Sequence, residues 1–282
     1  MSDDATPIDL TAVARAAASG DRAATRSILD AFQHEVYSLA LRMLGHPTDA
    51  EDAAQEILVI VLTHLGSFRG ESSLKTWVWR IAVNHLSRVR KGRRETISFE
   101  TLDERLRTGL NTEESDPGDP ESEALAGELH LRCTEAMILS LDRELRITYV
   151  LGDVFGLSGE EAADVLEIEP AAYRKRLSRA RLRLHTFLNQ WCGVYDSRNP
   201  CRCAGQVQAM VARGLLSSGD LYLSGQQVRP DRALIHRAAD EVTELMRVAE
   251  VLRGPASYLA PVTLVAGLRQ LIDSQRLELL RD

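Results

Sequence analysis

The chain has 282 residues, room for two or three small domains, with a formal net charge of −7 and 44% hydrophobic residues. No apolar run reaches the roughly 18 residues of a membrane span, and Met1-Ser2-Asp3-Asp4 lacks the basic and apolar segments of a secretory signal. Four cysteines in a chain this long do not make a disulfide framework, so a reduced cytoplasmic protein is the expectation.

Apolar residues recur at spacings of three and four almost throughout, and few runs alternate, which predicts an all-α chain. The first helices are expected over Leu10–Ala18 and Asp21–Leu44, with a break at Gly45-His46-Pro47. Thr48 and Glu51 have the spacing of a capping box. The helix they would open places Ala50, Ala53, Ala54, Ile57, Leu58, Val61, Leu62 and Leu65 on one stripe, with Asp49, Glu51, Asp52, Gln55 and Glu56 at its start and on its other faces. Gly66–Ser73 reads as a loop. The next helix buries Leu74, Trp77, Val78, Ile81, Leu86 and Val89, and turns Trp79, Arg80, Val83, Asn84, Ser87 and Lys91 outward.

Charge is segregated. Arg69, Lys75, Arg80, Arg88, Arg90, Lys91, Arg93 and Arg94 make one basic block, in which Glu71 is the single acid. From Glu100 to Glu128 ten acidic residues face only Arg105 and Arg107. With Pro117, Gly118 and Pro120 in it, the stretch 99–124 reads as a flexible acidic linker between a first domain, 1–98, and a second, 125–190.

The second domain holds another capping box, Ser158-Gly159-Glu160-Glu161, opening a short helix. A turn at Glu167-Ile168-Glu169 follows, then Pro170 at a first helical position. In the long helix after it, Tyr173, Leu177, Ala180, Leu184 and Leu188 face the core, while Arg174, Lys175, Arg176, Arg179, Arg181 and Arg183 point away or flank it. Short helix, tight turn and basic helix is the helix-turn-helix pattern. Residues 191–282 form an extension with helices expected near Ala204–Leu216, Asp231–Leu252 and Pro261–Leu280.

Cations, aromatic surface and a bidentate amide on one short helix are the groups that hold a single nucleic-acid strand and catch an unstacked base. No phosphate-cradling glycine loop and no nucleophile–base set points to an enzyme, and the histidines are scattered. Cys192, Cys201 and Cys203, with His185, leave three readings open: zinc ligands, a thiol redox pair, or structural cysteines in a tight turn. Cys133 reads as a helix core residue, and no motif calls for a cofactor beyond that zinc reading.

Residues from about Ala31 to Arg94 resemble the promoter-melting domain of the extracytoplasmic-function sigma factors of the sigma-70 family. The residues that carry the resemblance are Asp49-Ala50-Glu51-Asp52-Ala53-Ala54-Gln55-Glu56, Phe68-Arg69-Gly70-Glu71-Ser72 and Thr76-Trp77-Val78-Trp79-Arg80-Ile81-Ala82-Val83-Asn84. Residues Leu139–Leu188 resemble that family's second domain, through Leu157–Leu166 and Arg174–Arg181. The resemblance implies two small helical domains joined by a flexible linker. It implies contact with the beta-prime clamp helices of core RNA polymerase through Asp49, Glu51, Asp52, Gln55 and Glu56. It implies minus-ten contacts from Phe68, Arg69, Lys75, Trp77, Trp79, Arg80, Asn84, Arg88 and Arg90. Minus-thirty-five contacts would come from Ala172, Arg174, Lys175, Arg176, Arg179 and Arg183, and the second domain would touch the polymerase beta flap. Double- and single-stranded promoter DNA and an anti-sigma factor are the further partners it suggests, with no membrane.

Two positions depart from that family's pattern. Glu167 stands where a glycine is usual in the turn, and Tyr173 is bulkier than the usual residue and is expected to tilt the recognition helix. The competing reading is a helix-turn-helix regulator that does not melt DNA. The Phe68–Asn84 constellation separates the two, because an ordinary regulator needs no single-strand pocket. The extension is expected to pack on the two domains and regulate promoter or polymerase binding.

Overall fold

Asp9 and Asp21 accept backbone amides at the starts of α1 (Leu10–Ala18) and α2 (Arg22–Leu44), caps worth about 1 kcal/mol each. Both helices lie where the periodicity placed them. The computed structural model describes residues 9–89, 97–110, 119–219, 221, 251–252 and 258–274, and every regular element among them is helical. α3 (Pro47–Thr63) starts differently from expectation: His46 is its N-cap and makes no side-chain cap. Pro47, with its φ already helical, begins the helix before Thr48 can cap it, so no Thr48–Glu51 box forms. α4 (Leu74–Arg88) is capped by Ser73, whose Oγ accepts the Thr76 amide at 3.0 Å. These four helices enclose a core that includes Leu29, Phe32, Tyr37, Ile57, Leu58 and Val78.

The linker reading of 99–124 needs correction. Ser98 caps a helix, α5 (Phe99–Gly109), that buries Leu102 and Leu106 despite its acidic surface. The Phe99 ring lies 5.3 Å from that of Phe187, so the linker's first half is packed structure. Composition missed it because three apolar residues at helical spacing suffice to anchor an acidic helix. Residues 111–118 lie outside the described residues, as does Arg90.

The second half begins with α6 (Pro120–Leu139), capped by Asp119. α7 (Arg143–Tyr149) runs on into a π turn, Val150–Val154. The expected capping box opens α8 (Gly159–Val165): the Ser158 amide donates to Glu161 Oε2 at 2.9 Å and the Glu161 amide to Ser158 Oγ at 3.2 Å. α9 (Pro170–Trp191) has its proline at the first turn, as predicted. From the extension, α10 (Cys203–Ala212) packs on α5 and α6, and α11 (Val262–Asp273) packs on α2 and α3. Positions 231–250 and 275–280 of the other expected extension helices lie outside the described residues.

Two buried arginines join the halves. Arg146, 2% exposed, donates to the carbonyls of Met43 on α2 and of Leu139 and Leu141 at the end of α6. Arg42, 1% exposed, lies over the Tyr258 ring at 4.7 Å with Glu135 3.8 Å away, and the Tyr258 hydroxyl donates to Glu135 at 2.6 Å. A buried cation is tolerated only with such partners, so α2, α6 and the extension are mutually dependent here. Gly45 ends α2 at φ 74°, a left-handed conformation that glycine takes at no steric cost, and a Cβ there would press on the Leu139 side chain of α6.

Candidate nucleic-acid interface

The exposed edge of α4 and its preceding loop carry Arg69, Asn84, Ser87 and Arg88, all open to solvent. Phe68 and Trp77 are half-buried and pack on each other with centroids 5.7 Å apart, forming the aromatic end of that edge. Lys75 reaches back to Glu35 at 3.0 Å. A strand laid along this edge would meet cations, a ring face and an amide in succession.

Three residues expected on the outer face are buried or engaged elsewhere. Trp79 is 1% exposed and packs on Phe155 at 4.7 Å; Val83 is also buried. Arg80 donates through Nη2 to the Asp164 carboxylate and through Nε to the Asp164 carbonyl at 3.2 Å. Thus α4 is apolar on two sides because it packs against its own bundle and against the second half of the chain. Helical periodicity shows a second apolar side, but not what covers it. The Trp79 Nε1–H has no hydrogen-bond partner among the described residues, a deficit of about 1–3 kcal/mol for a buried donor.

On α3, Asp49, Asp52, Gln55 and Glu56 are exposed, and Glu51 is half-buried, accepting the Thr263 hydroxyl of the extension at 2.6 Å. α11 is further tied to α2 by Arg269 to Asp30 at 2.9 Å and by an Arg26–Asp273 ion pair.

In the helix-turn-helix, Glu167 adopts φ 53°, the left-handed conformation that a glycine takes at no steric cost. Tyr173 is accommodated within the core: it is 1% exposed, and a Cβ at Gly152 would stand 2.3 Å from its hydroxyl. Burial and the nearby Asp153 charge push its pKa up to about 12. Arg181 forks onto Asp153 at 2.8 and 2.6 Å, which makes it an anchor of α9. The side chains of Arg174, Lys175 and Arg179 are exposed; Ala172 is half-buried. Arg176 lies 3.4 Å from Glu144 and Arg183 2.8 Å from Asp142. The first half of α9 therefore presents the exposed cations Arg174, Lys175 and Arg179 beside Arg176, which is tied to α7, while the second half is tethered to the π turn through Arg181 and to the N-cap of α7 through Arg183.

Cys192, Cys201 and Cys203 come together as expected, but His185 does not line their cavity; its ring sits edge-on to Tyr195 at 5.9 Å. His130 and Cys133 of α6 line it instead. Sixty residues of sequence hid that relation. Burial pushes the Cys133 and Cys192 thiols up, and burial together with the Cys192 charge takes Cys201 to about 11.

Segments of this chain are similar to known proteins. The model of sigma-70 region 2 matches residues 28–95, and that of sigma-70 region 4 matches residues 131–184. The RNA polymerase sigma-H factor of Pseudomonas aeruginosa is 32% identical over 166 residues, covering 57% of this chain and 84% of that protein. The ECF RNA polymerase sigma-E factor of Escherichia coli K12 is 34% identical over 166 residues, covering 57% and 85%. A solved structure, CnrH in complex with the cytosolic domain of CnrY, is 24% identical with a TM-score of 0.46, covering 64% of this chain and 98% of that one. Neither family model reaches beyond residue 184.

Proposed function

The chain belongs to the extracytoplasmic-function sigma factors of the sigma-70 family, promoter-recognition factors of RNA polymerase, and from that premise we propose how its two halves divide the work. The first half binds core polymerase through the acidic exposed side of α3, on the beta-prime clamp helices. The edge formed by Phe68, Arg69, Trp77, Asn84 and Arg88 then holds the displaced strand of the minus-ten element, with Asn84 reading a base edge. The second half reads the minus-thirty-five element with Arg174, Lys175 and Arg179, and meets the beta flap. The chain makes no bond itself; polymerase does the chemistry, in the cytoplasm.

The arrangement described is a closed form of this factor. The observation that carries this reading is the contact of α4 with the second half: Trp79 on Phe155 and Arg80 on Asp164. Two of the expected minus-ten residues, Trp79 and Arg80, are spent on an internal contact, and parting of the halves would free them to join the open edge in holding the strand. The extension opposes that parting. Tyr258 sits at the junction with Arg42 and Glu135, its amide donates to Ser38 Oγ at 2.6 Å, and α11 covers part of α2 and α3 beside the acidic surface. An anti-sigma factor or other regulator would act by shifting the same equilibrium.

The test is run-off transcription with sigma-free core polymerase on a genomic fragment library. The full chain and a Tyr258→Ala variant are compared. Specific start sites present only with the added factor, and more abundant with Tyr258→Ala, are expected. Core binding without initiation in either protein would count against the strand-capture assignment. Equal activity of the two would remove the restraining role of the extension.

A further inference from the structure

All four cysteines of the chain lie together. Cys133 is on α6, Cys192 at the end of α9, and Cys201 and Cys203 lead into α10; with His130 they line one cavity of about 30 Å³, room for a single ion. Chance does not easily gather the only four thiols of 282 residues from three separated segments.

The loop that brings them together is built with many bonds. Cys192 and Cys201 form a parallel β-bridge, with the Gly193 amide donating to the Cys201 carbonyl at 3.0 Å and the Cys201 amide to the Trp191 carbonyl at 3.0 Å. Asn199 Nδ2 donates to the carbonyls of Leu188 and Cys192 at 3.0 and 3.1 Å. The backbone amides of Val194 and Tyr195 are directed at the Cys192 sulfur, as donors to a thiolate would be. Cys203 Sγ stands 3.8 Å from His130 Nδ1, against the about 3.6 Å that separates a sulfur and a nitrogen ligand on a tetrahedral zinc ion.

We propose that Cys192, Cys201, Cys203 and His130 bind one thiophilic divalent cation of the zinc type, with Cys133 beside them as a reserve sulfur, fastening the extension to α6 and α9. Three sulfurs and one imidazole suit a tetrahedral borderline-soft ion and are poor ligands for magnesium or calcium. No three such side chains among the described residues already stand in ligating geometry, so side-chain rotation completes the site. On binding, the three thiols lose their protons to solvent and the cation takes three thiolates and one neutral imidazole, so uptake is favoured by rising pH. This assignment stands whether or not the closed-form reading above holds.

The experiment uses the full chain, reduced, chelator-treated and desalted, titrated with cobalt(II) as a coloured probe for zinc. One cobalt per chain is expected, with the visible bands of tetrahedral coordination, a near-ultraviolet thiolate band, and displacement by zinc. Cys203→Ser and His130→Gln should each weaken binding by more than the about 10–100-fold that loss of an outer partner costs. Circular dichroism of each variant checks that its helices persist. Because the unaltered chain is itself titrated, a variant that fails to fold leaves the test intact. Absence of stoichiometric cobalt in the unaltered chain overturns the proposal. So does binding that the Cys192→Ser/Cys203→Ser double variant retains, or formation of a Cys192–Cys201 disulfide in a chain that takes up no metal.

Discussion

The indole of Trp79 lies against the ring of Phe155, centroids 4.7 Å apart and planes inclined by 49°. Trp79 lies in the segment that matches sigma-70 region 2 and Phe155 in the segment that matches region 4, so this contact joins the two regions. One edge of α4 is open and another is covered by the second half of the chain.

Asp164 holds Arg80 in that contact with an exposed pair worth no more than about 1 kcal/mol. Asp164→Ala should therefore raise promoter opening by core polymerase modestly, up to about fivefold, with duplex affinity unchanged. Fluorescence of a 2-aminopurine in the minus-ten element reports it. A fall in opening would mean that Asp164 supports the active form.

Asn84 is exposed on the open edge of α4 and makes no part of the core. Asn84→Ala should weaken open-complex formation by about 1–3 kcal/mol while leaving binding to closed duplex nearly intact. Equal losses in footprinting of the two complexes would remove its base-capture role.

On α9, neighbouring arginines should separate cleanly. Arg179→Glu should reduce binding to the minus-thirty-five element while thermal stability holds, since its side chain is exposed. Arg181→Ala should instead cost about 1.5–3 kcal/mol of stability, because it leaves the buried Asp153 carboxylate without its fork. Paired melting curves and gel-shift titrations distinguish the two.

The turn of the helix-turn-helix holds Glu167 at φ 53°. Left-handed backbone costs a side-chain-bearing residue about 1–2 kcal/mol, partly offset by the greater unfolded entropy of glycine. Glu167→Gly should gain up to about 1 kcal/mol, read as a rise of a few degrees in Tm. A lower Tm would show that the Glu167 side chain has a compensating role.

In metal-free protein the Cys201 thiol ionises near about 11, held up by burial and then by the Cys192 charge. Its alkylation rate should climb about tenfold per pH unit between pH 7 and 10 with no plateau, because the thiolate is the nucleophile. A plateau near pH 8, seen by mass spectrometry of the labelled peptide, would place the thiol in solvent.

The helix boundaries at Leu10, Ala18 and Leu44, the Ser158–Glu161 box and the proline at the start of α9 were all legible in the sequence. Caps, proline geometry and periodicity act within a few residues. The same short-range rules misplaced the start of α3, where Pro47 outcompetes Thr48, and they treated acidic α5 as linker because its few buried leucines find partners on α6 and α10.

Sequence alone thus determined an all-helical chain, its two sigma regions, and the cations and amide exposed on α4 and α9. Only the tertiary structure decided that Trp79 meets Phe155, that Arg80 meets Asp164, that Tyr258 enters the junction beside Arg42, and that Cys133 and His130, not His185, face the other thiols. The physical reason is range. Helix formation is settled by neighbours three or four positions away, whereas the partner of an outward face is chosen by packing between segments tens to hundreds of residues apart, for which composition and periodicity carry no address.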